Sequence, residues 1–220
     1  MVIVCLCQEV VMRKSFCVLI LILSIFLLFS CGTGNTSDSA RDTGTETASE
    51  TKKTYGPALF YEVCSAEKAL ELSVGSNAVV FEERGCTSGQ ETWDAFIGSV
   101  DKKIPASVLC SFYYPGKFTD DGMNKCFFYL LEFDGNEFNL SIRESDSEEK
   151  ATPATFGYLR HYTGDAPTPD ALYSSYEYYV LTDDPNVTWE DIWRGMASSF
   201  SGDFISHSMV YKNYSGWKGN

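Results

Sequence analysis

His161 and His207 are the only imidazoles in this 220-residue chain, so acid–base chemistry near neutral pH would have to run through one of them. A Ser-His-Asp or Cys-His site needs a base oriented by a third group, and no G-x-S-x-G turn occurs in the sequence. His207 follows Phe204-Ile205-Ser206 beside an expected strand, and His161 ends a tyrosine-rich one; both read as ordinary strand histidines. Glu132, Asp134, Glu177 and Glu190 read as solvent-facing or turn carboxylates, not as the paired acids of glycoside hydrolysis. Asp120-Asp121-Gly122 and Asp183-Asp184-Pro185 offer hard oxygen ligands, but neither matches a calcium-loop pattern. Each is expected as a local turn. The residues thus name no catalytic group, metal or cofactor. Tyr173, Tyr176 and Tyr178 are candidate binding residues, because exposed phenol rings stack on sugars or anchor a protein partner.

Cysteine carries the other chemistry. Of eight cysteines, Cys31 has the most informative surroundings. Arg13 and Lys14 precede an apolar run from Phe16 to Phe29, followed by the small Ser30 and then Cys31. Leu28-Phe29-Ser30-Cys31 resembles the lipobox of a bacterial lipoprotein signal, with a bulky Phe29. The run is shorter than the roughly 20 residues of a spanning helix, and its flanks are those of an export signal. Residues 1–30 are therefore expected as a signal peptide, with Met12 a plausible true start, and Cys31 as the lipidated residue. One acyl chain binds a bilayer marginally; two or three, at about 0.8 kcal/mol per buried methylene, anchor durably. The expected address is extracytoplasmic, on the cell membrane. In an exported domain the four remaining cysteines, Cys64, Cys86, Cys110 and Cys126, suggest two disulfides. Three connectivities are open, and free buried thiols are the competing reading.

The formal charge is −13. Loss of residues 1–30 removes Glu9, Arg13 and Lys14, leaving the mature chain one unit more negative. That excludes nucleic acid, whose phosphates call for Lys and Arg. It also argues against flat docking on an anionic membrane.

Elements that would position these residues follow from spacing. Residues 32–54 are mostly Gly, Thr, Ser, Asp and Glu, with a few Ala, Asn, Arg and Lys and almost no large apolar side chain; such a composition cannot offset the entropy of ordering, so a flexible tether is expected over 31–54. A single globular domain is expected over 55–220. Ser65 caps a helix over 66–72. Ser88 and Glu91 form a capping box ahead of Trp93, Phe96, Ile97 and Val100 at helical spacing. Strands are expected over 77–83, 107–114, 125–133, 138–142, 156–162, 175–182 and 205–211. Asp134-Gly135 suggests a type I′ hairpin. Thr188 and Asp191 cap a helix over 189–199, with Trp189, Ile192, Trp193 and Met196 on its buried face. The implied fold is α+β: an antiparallel sheet of about five to seven strands with two main helices packed on one side.

The series Glu91-Thr92-Trp93-Asp94-Ala95-Phe96, Ile104-Pro105-Ala106-Ser107-Val108, Leu131-Glu132-Phe133-Asp134-Gly135-Asn136, Tyr179-Val180-Leu181 and Thr188-Trp189-Glu190-Asp191 is similar to small exported lipoproteins of Gram-positive gut bacteria that carry a domain of unknown function. The resemblance spans roughly residues 78–212. It implies an exported mixed α/β domain and brings no functional residue with it. The expected function is that of a membrane-anchored, non-catalytic binding or interaction domain, its partners the bilayer through Cys31 and a protein or glycan ligand. Two alternatives are an envelope hydrolase using Asp or Glu with His161 or His207, and an inhibitor or accessory subunit of a surface enzyme.

Overall fold

The structure, a computed structural model, describes residues 53–55 and 57–219. The signal segment, Cys31 and nearly all of the tether lie outside the described residues.

The fold is α+β. Ten strands form one mixed sheet: β1 (Lys53–Tyr55), β2 (Val79–Glu82), β3 (Gly85–Ser88), β4 (Ala106–Tyr114), β5 (Lys125–Phe133), β6 (Phe138–Glu144), β7 (Ala154–Phe156), β8 (Tyr158–Asp165), β9 (Ser175–Thr182) and β10 (His207–Ser215). Among the described residues three α-helices accompany them, α1 (Ala66–Gly75), α2 (Gln90–Val100) and α3 (Trp189–Ala197). The strand order is β7-β6-β5-β4-β2-β3-β10-β9-β8, with β1 also paired to β4. β1 and β2 both run parallel to β4, lying end to end along one of its edges. The expected count of five to seven strands, all antiparallel, is therefore corrected. The strands that escaped notice are β1 and β3, three and four residues of largely polar sequence, too short for alternation to register.

One residue explains the shape. Sequence periodicity ran a single strand through 156–162, but Gly157 breaks it. β7 pairs with β6 at one end of the strand order and β8 pairs with β9 at the other. Phe156 and Tyr158, two Cα steps of 3.8 Å apart, thus belong to opposite ends of the sheet. The sheet has to curl until its ends meet at Gly157, whose N–H donates to Asp183 Oδ1 at 3.0 Å.

The curl gathers a core around α2. Trp93 and Phe96 are buried, and Ile97 and Val100 pack beside them. Val108, Cys110 and Phe112 of β4, Leu131 and Phe133 of β5, and Leu181 of β9 face this helix. The intervening β4 residue Leu109 and β5 residues Cys126, Phe128 and Leu130 face the opposite way, into a second cluster with Ala66 and Ala69 of α1. In β9, Tyr178 and Val180 turn from α2 toward Ile192 of α3. Since alternate strand residues point to opposite faces, α2 lies on one face and α1 and α3 on the other. The expectation of both main helices on one side fails because β4 and β9 are apolar on both faces, the mark of a sheet covered twice.

Local signals hold unevenly. Ser65 Oγ accepts from Lys68 N–H at the start of α1. The Thr188–Asp191 capping box forms at α3, with both reciprocal hydrogen bonds present. At α2 the cap is Gly89 and not Ser88: Ser88 is paired in β3 with Val80, and Gly89 sits at φ +77 with Ala78 O where a Cβ would be only 2.2 Å away. The β5–β6 hairpin is present without the type I′ turn. Gly135 takes positive φ, while Asp134 Oδ1 accepts from the N–H groups of Asn136 and Glu137 at 2.8 and 2.9 Å. Trp193 is 48% exposed, not buried. The inward face of α3 carries Ile192 and Gly195, and Asp203 O approaches Gly195 to where a Cβ would be 2.6 Å away.

The two halves of the sheet meet at one residue pair, Gly85 of β3 with Asn213 of β10. Gly85 has φ +100, and a Cβ there would fall 2.7 Å from Asn213 Cα. Gly85→Ala is expected to cost about 2 kcal/mol and to lower Tm by roughly 4–8 °C, read by calorimetry. Gly98→Ala, in helix α2 where a Cβ meets nothing within 4 Å, should leave Tm unchanged or raise it.

Candidate functional site

Three adjacent strands, β8, β9 and β10, bring polar residues together in ranks. Their registers align His161 with Tyr179 and Tyr211, then Thr163 with Glu177 and Asn213, then Asp165 with Ser175 and Ser215. These positions are two apart along each strand, so all nine side chains share a face. Tyr179 and Tyr211 identify it as the α2 face: the Trp93 indole stacks on Tyr211 at 4.8 Å and meets Tyr179 edge-on at 5.2 Å. The helix covers Tyr179 and Tyr211 of the first rank. Beyond it the strands run on, and the other two ranks line an open cleft of about 510 Å³.

The boundary between core and cleft is hydrogen-bonded. Tyr211 Oη donates to Gln90 Oε1 at 2.6 Å, and Gln90 Nε2 donates to Asp94 Oδ1 at 2.8 Å. Burial, with Glu177 and Asp94 adding negative charge, pushes the Tyr179 phenol up; burial does the same to Tyr211, with Cys86 and Glu177 adding to it. Both stay neutral hydroxyls. Glu177 Oε1 accepts from His161 Nε2 at 2.9 Å, while the imidazole lies flat on the Tyr179 ring at 4.2 Å and 15°. Both partners of this pair are about half exposed, which makes it a positioning contact worth little in stability.

The expected site residues fare differently. His207 pairs with Thr182, whose face is that of Val180 and α3; its Nδ1 donates to Ile205 O at 2.7 Å. The two histidines therefore stand on opposite faces of the sheet, one held by the Glu177 carboxylate and the other by the Ile205 carbonyl. Tyr178 is only 5% exposed. It stacks on Tyr176 at 4.5 Å and packs under Trp189 at 4.8 Å. As a contact residue it is ruled out, because α3 covers that side of β9. Tyr176 and Tyr173 are half-buried, Tyr173 stacked on Tyr214 at 4.5 Å. Trp217 is half-buried against Tyr214. What sequence reasoning missed is the other parity of the same strands: Thr163, Asp165, Ser175 and Glu177. Their alternation is visible only once β8 and β9 are known to pair.

The acidic turns are turns. Asp121 Oδ1 accepts from Met123 N–H at 3.0 Å and its carboxylate pairs with Lys125 at 3.1 Å. Asp184 Oδ1 accepts from Asn186 N–H at 2.8 Å. Among the described residues no group of three His, Cys, Asp or Glu side chains could hold a metal ion.

Cys64, Cys86, Cys110 and Cys126 are free thiols, against the expected two disulfides. Cys110 and Cys126 lie on neighbouring strands but on opposite faces, one in the α2 core and the other in the α1 core. Cys86 packs with the α2 core beside Cys110, and Cys64 with the α1 core beside Cys126. Burial pushes the thiol of Cys86 up to about 11 and that of Cys126 up to about 12, and raises Cys110 and Cys64 as well.

Comparison with protein-family models, with curated proteins and with solved structures gives no match to this chain.

Since the thiolate is the nucleophile, iodoacetamide at pH 8 without reductant should modify Cys64 in the native protein and spare Cys86, Cys110 and Cys126. In guanidinium, still without reductant, all four should react. Peptide-level mass spectrometry reads the pattern, and a cross-linked pair among the four would contradict it.

Proposed function

We propose that this chain is an extracytoplasmic lipoprotein whose folded domain binds a ligand without transforming it. Residues 1–30 direct export, Cys31 takes the lipid, and the polar segment that follows it spaces the domain from the bilayer. The likeness to small exported lipoproteins supports this address, as do the basic residues, apolar run and small-residue–cysteine junction at positions 13–31.

One observation carries the binding role. The polar ranks of β8, β9 and β10 extend past the end of α2 into an open cleft. A sheet face that serves only the core would be capped or apolar there. The side chains are set on paired strands and not on loops, which suits a preorganised binding surface. The reading of the domain as non-catalytic rests on the histidines: His161 is engaged by Glu177, and His207 is turned to the far face.

The address is tested in the host by metabolic labelling with an alkyne fatty acid, followed by membrane fractionation. Wild-type protein should carry the label and require detergent for extraction. Cys31→Ala should lose both label and membrane retention. An unlabelled wild-type chain with an amino terminus upstream of residue 31 would overturn the proposal.

A further inference from the structure

Building on the binding role just described, we propose that the open end of the β8–β9–β10 face takes a neutral glycan laid across the three strands. Six side chains define the surface: Thr163, Asp165, Ser175, Glu177, Asn213 and Ser215. Three are hydroxyls, which donate and accept; one is an amide, which does both through separate atoms; two are carboxylates, which accept only. A ligand satisfying them must present many donors and acceptors at short intervals. Adjacent hydroxyl groups on sugar rings do so, and a carboxylate oxygen accepts well from them.

The alternatives fit less well. No Lys or Arg belongs to the six, and the whole chain carries −13. Phosphate polymers, sulfated sugars and nucleic acids would meet repulsion with no counter-charge. An extended peptide binds a sheet by adding a strand at an edge. Here the ligand meets the flat of the sheet, where β9 is paired on both sides and its main chain has nothing to give. Recognition has to come from side chains alone.

The spacing suits a chain of rings. Neighbouring strands lie about 4.8 Å apart and same-face residues about 6.7 Å apart along a strand, so a polysaccharide crossing the strands meets a new polar side chain at roughly each ring. Glu177 is held by His161 through Oε1 alone at 2.9 Å.

The test uses the full lipoprotein in detergent micelles and saturation-transfer NMR with titration. The probes are neutral gluco-, manno- and N-acetylglucosamine hexasaccharides, a hexalysine peptide, and heparin. At least one neutral hexasaccharide should bind, and heparin should not. Glu177→Gln and Asp165→Asn should each weaken the sugar about tenfold or more, with Tm unchanged. Thr163→Val gives a third, uncharged check in the same direction. Hexalysine binding that is lost in Glu177→Gln, with no sugar bound, would keep the cleft as a site and overturn the glycan class. Sugar binding indifferent to all three substitutions, or no sugar binding at all, would overturn the proposal. Fatty-acid labelling of Cys31 is read separately, so failure here leaves the membrane address standing.

Discussion

The Trp93 indole holds this fold together. Only one residue pair, Gly85 with Asn213, links the backbone of β3 to that of β10, and one such link cannot fix the angle between two half-sheets. Trp93 does so through its side chain. It is 1% exposed and lies flat on Tyr211, edge-on to Tyr179 and tilted against Phe96 at 5.7 Å. Phe81 continues the bridge, stacked on Phe112 of β4 at 4.5 Å and edge-on to Tyr211 at 5.4 Å. Each aromatic pair adds about 0.5–1.5 kcal/mol beyond the area it buries. Against this, Trp93 Nε1 makes no well-formed hydrogen bond and has only the Tyr179 phenol near it, which costs at most about 1–3 kcal/mol. The burial of a whole indole, some 3–5 kcal/mol when truncated to Ala, outweighs that loss.

From this contact follows the placement of the polar face. Tyr179 and Tyr211 are at once partners of Trp93 and the first rank of the β8–β10 surface. Where the indole stops, the apolar core stops, and the next two ranks face solvent. A second fastening lies elsewhere: the Arg143 guanidinium donates to the carbonyls of Phe60, Glu62, Glu144 and Ser147. Four carbonyls from two segments, and no carboxylate among them, require the planar fork of arginine, not a lysine. This clamp pins the segment that leads in from β1 against β6, far along the strand order from the polar cleft.

The sequence made local features legible and left non-local ones dark. The Thr188–Asp191 box, the Ser65 cap, and the spans of β5 and β9 rest on neighbours within a few residues, so spacing sufficed. The apolar face of α2 was equally plain. Gly157 was missed because a lone glycine inside an alternating run looks like a tolerated defect; only the pairing of its two sides with distant strands reveals a corner. Ser88 looked like a cap because the pull of β2 on β3 acts across a turn. The tyrosines of β9 drew attention by their chemistry, yet parity alone could not say which face α3 would cover. The ligand face needs the register of three strands at once, and so was invisible until they were paired.

The dependence of the polar face on Trp93 is tested most directly by native-state hydrogen exchange on Trp93→Leu. Leucine keeps α2 apolar but removes the plate on which Tyr211 and Tyr179 rest. Amides of β8, β9 and β10 are expected to lose protection together through a sub-global opening, while those of β4, β5 and β6 keep theirs. Uniform loss across the sheet, or protection unchanged in β8–β10, would contradict it.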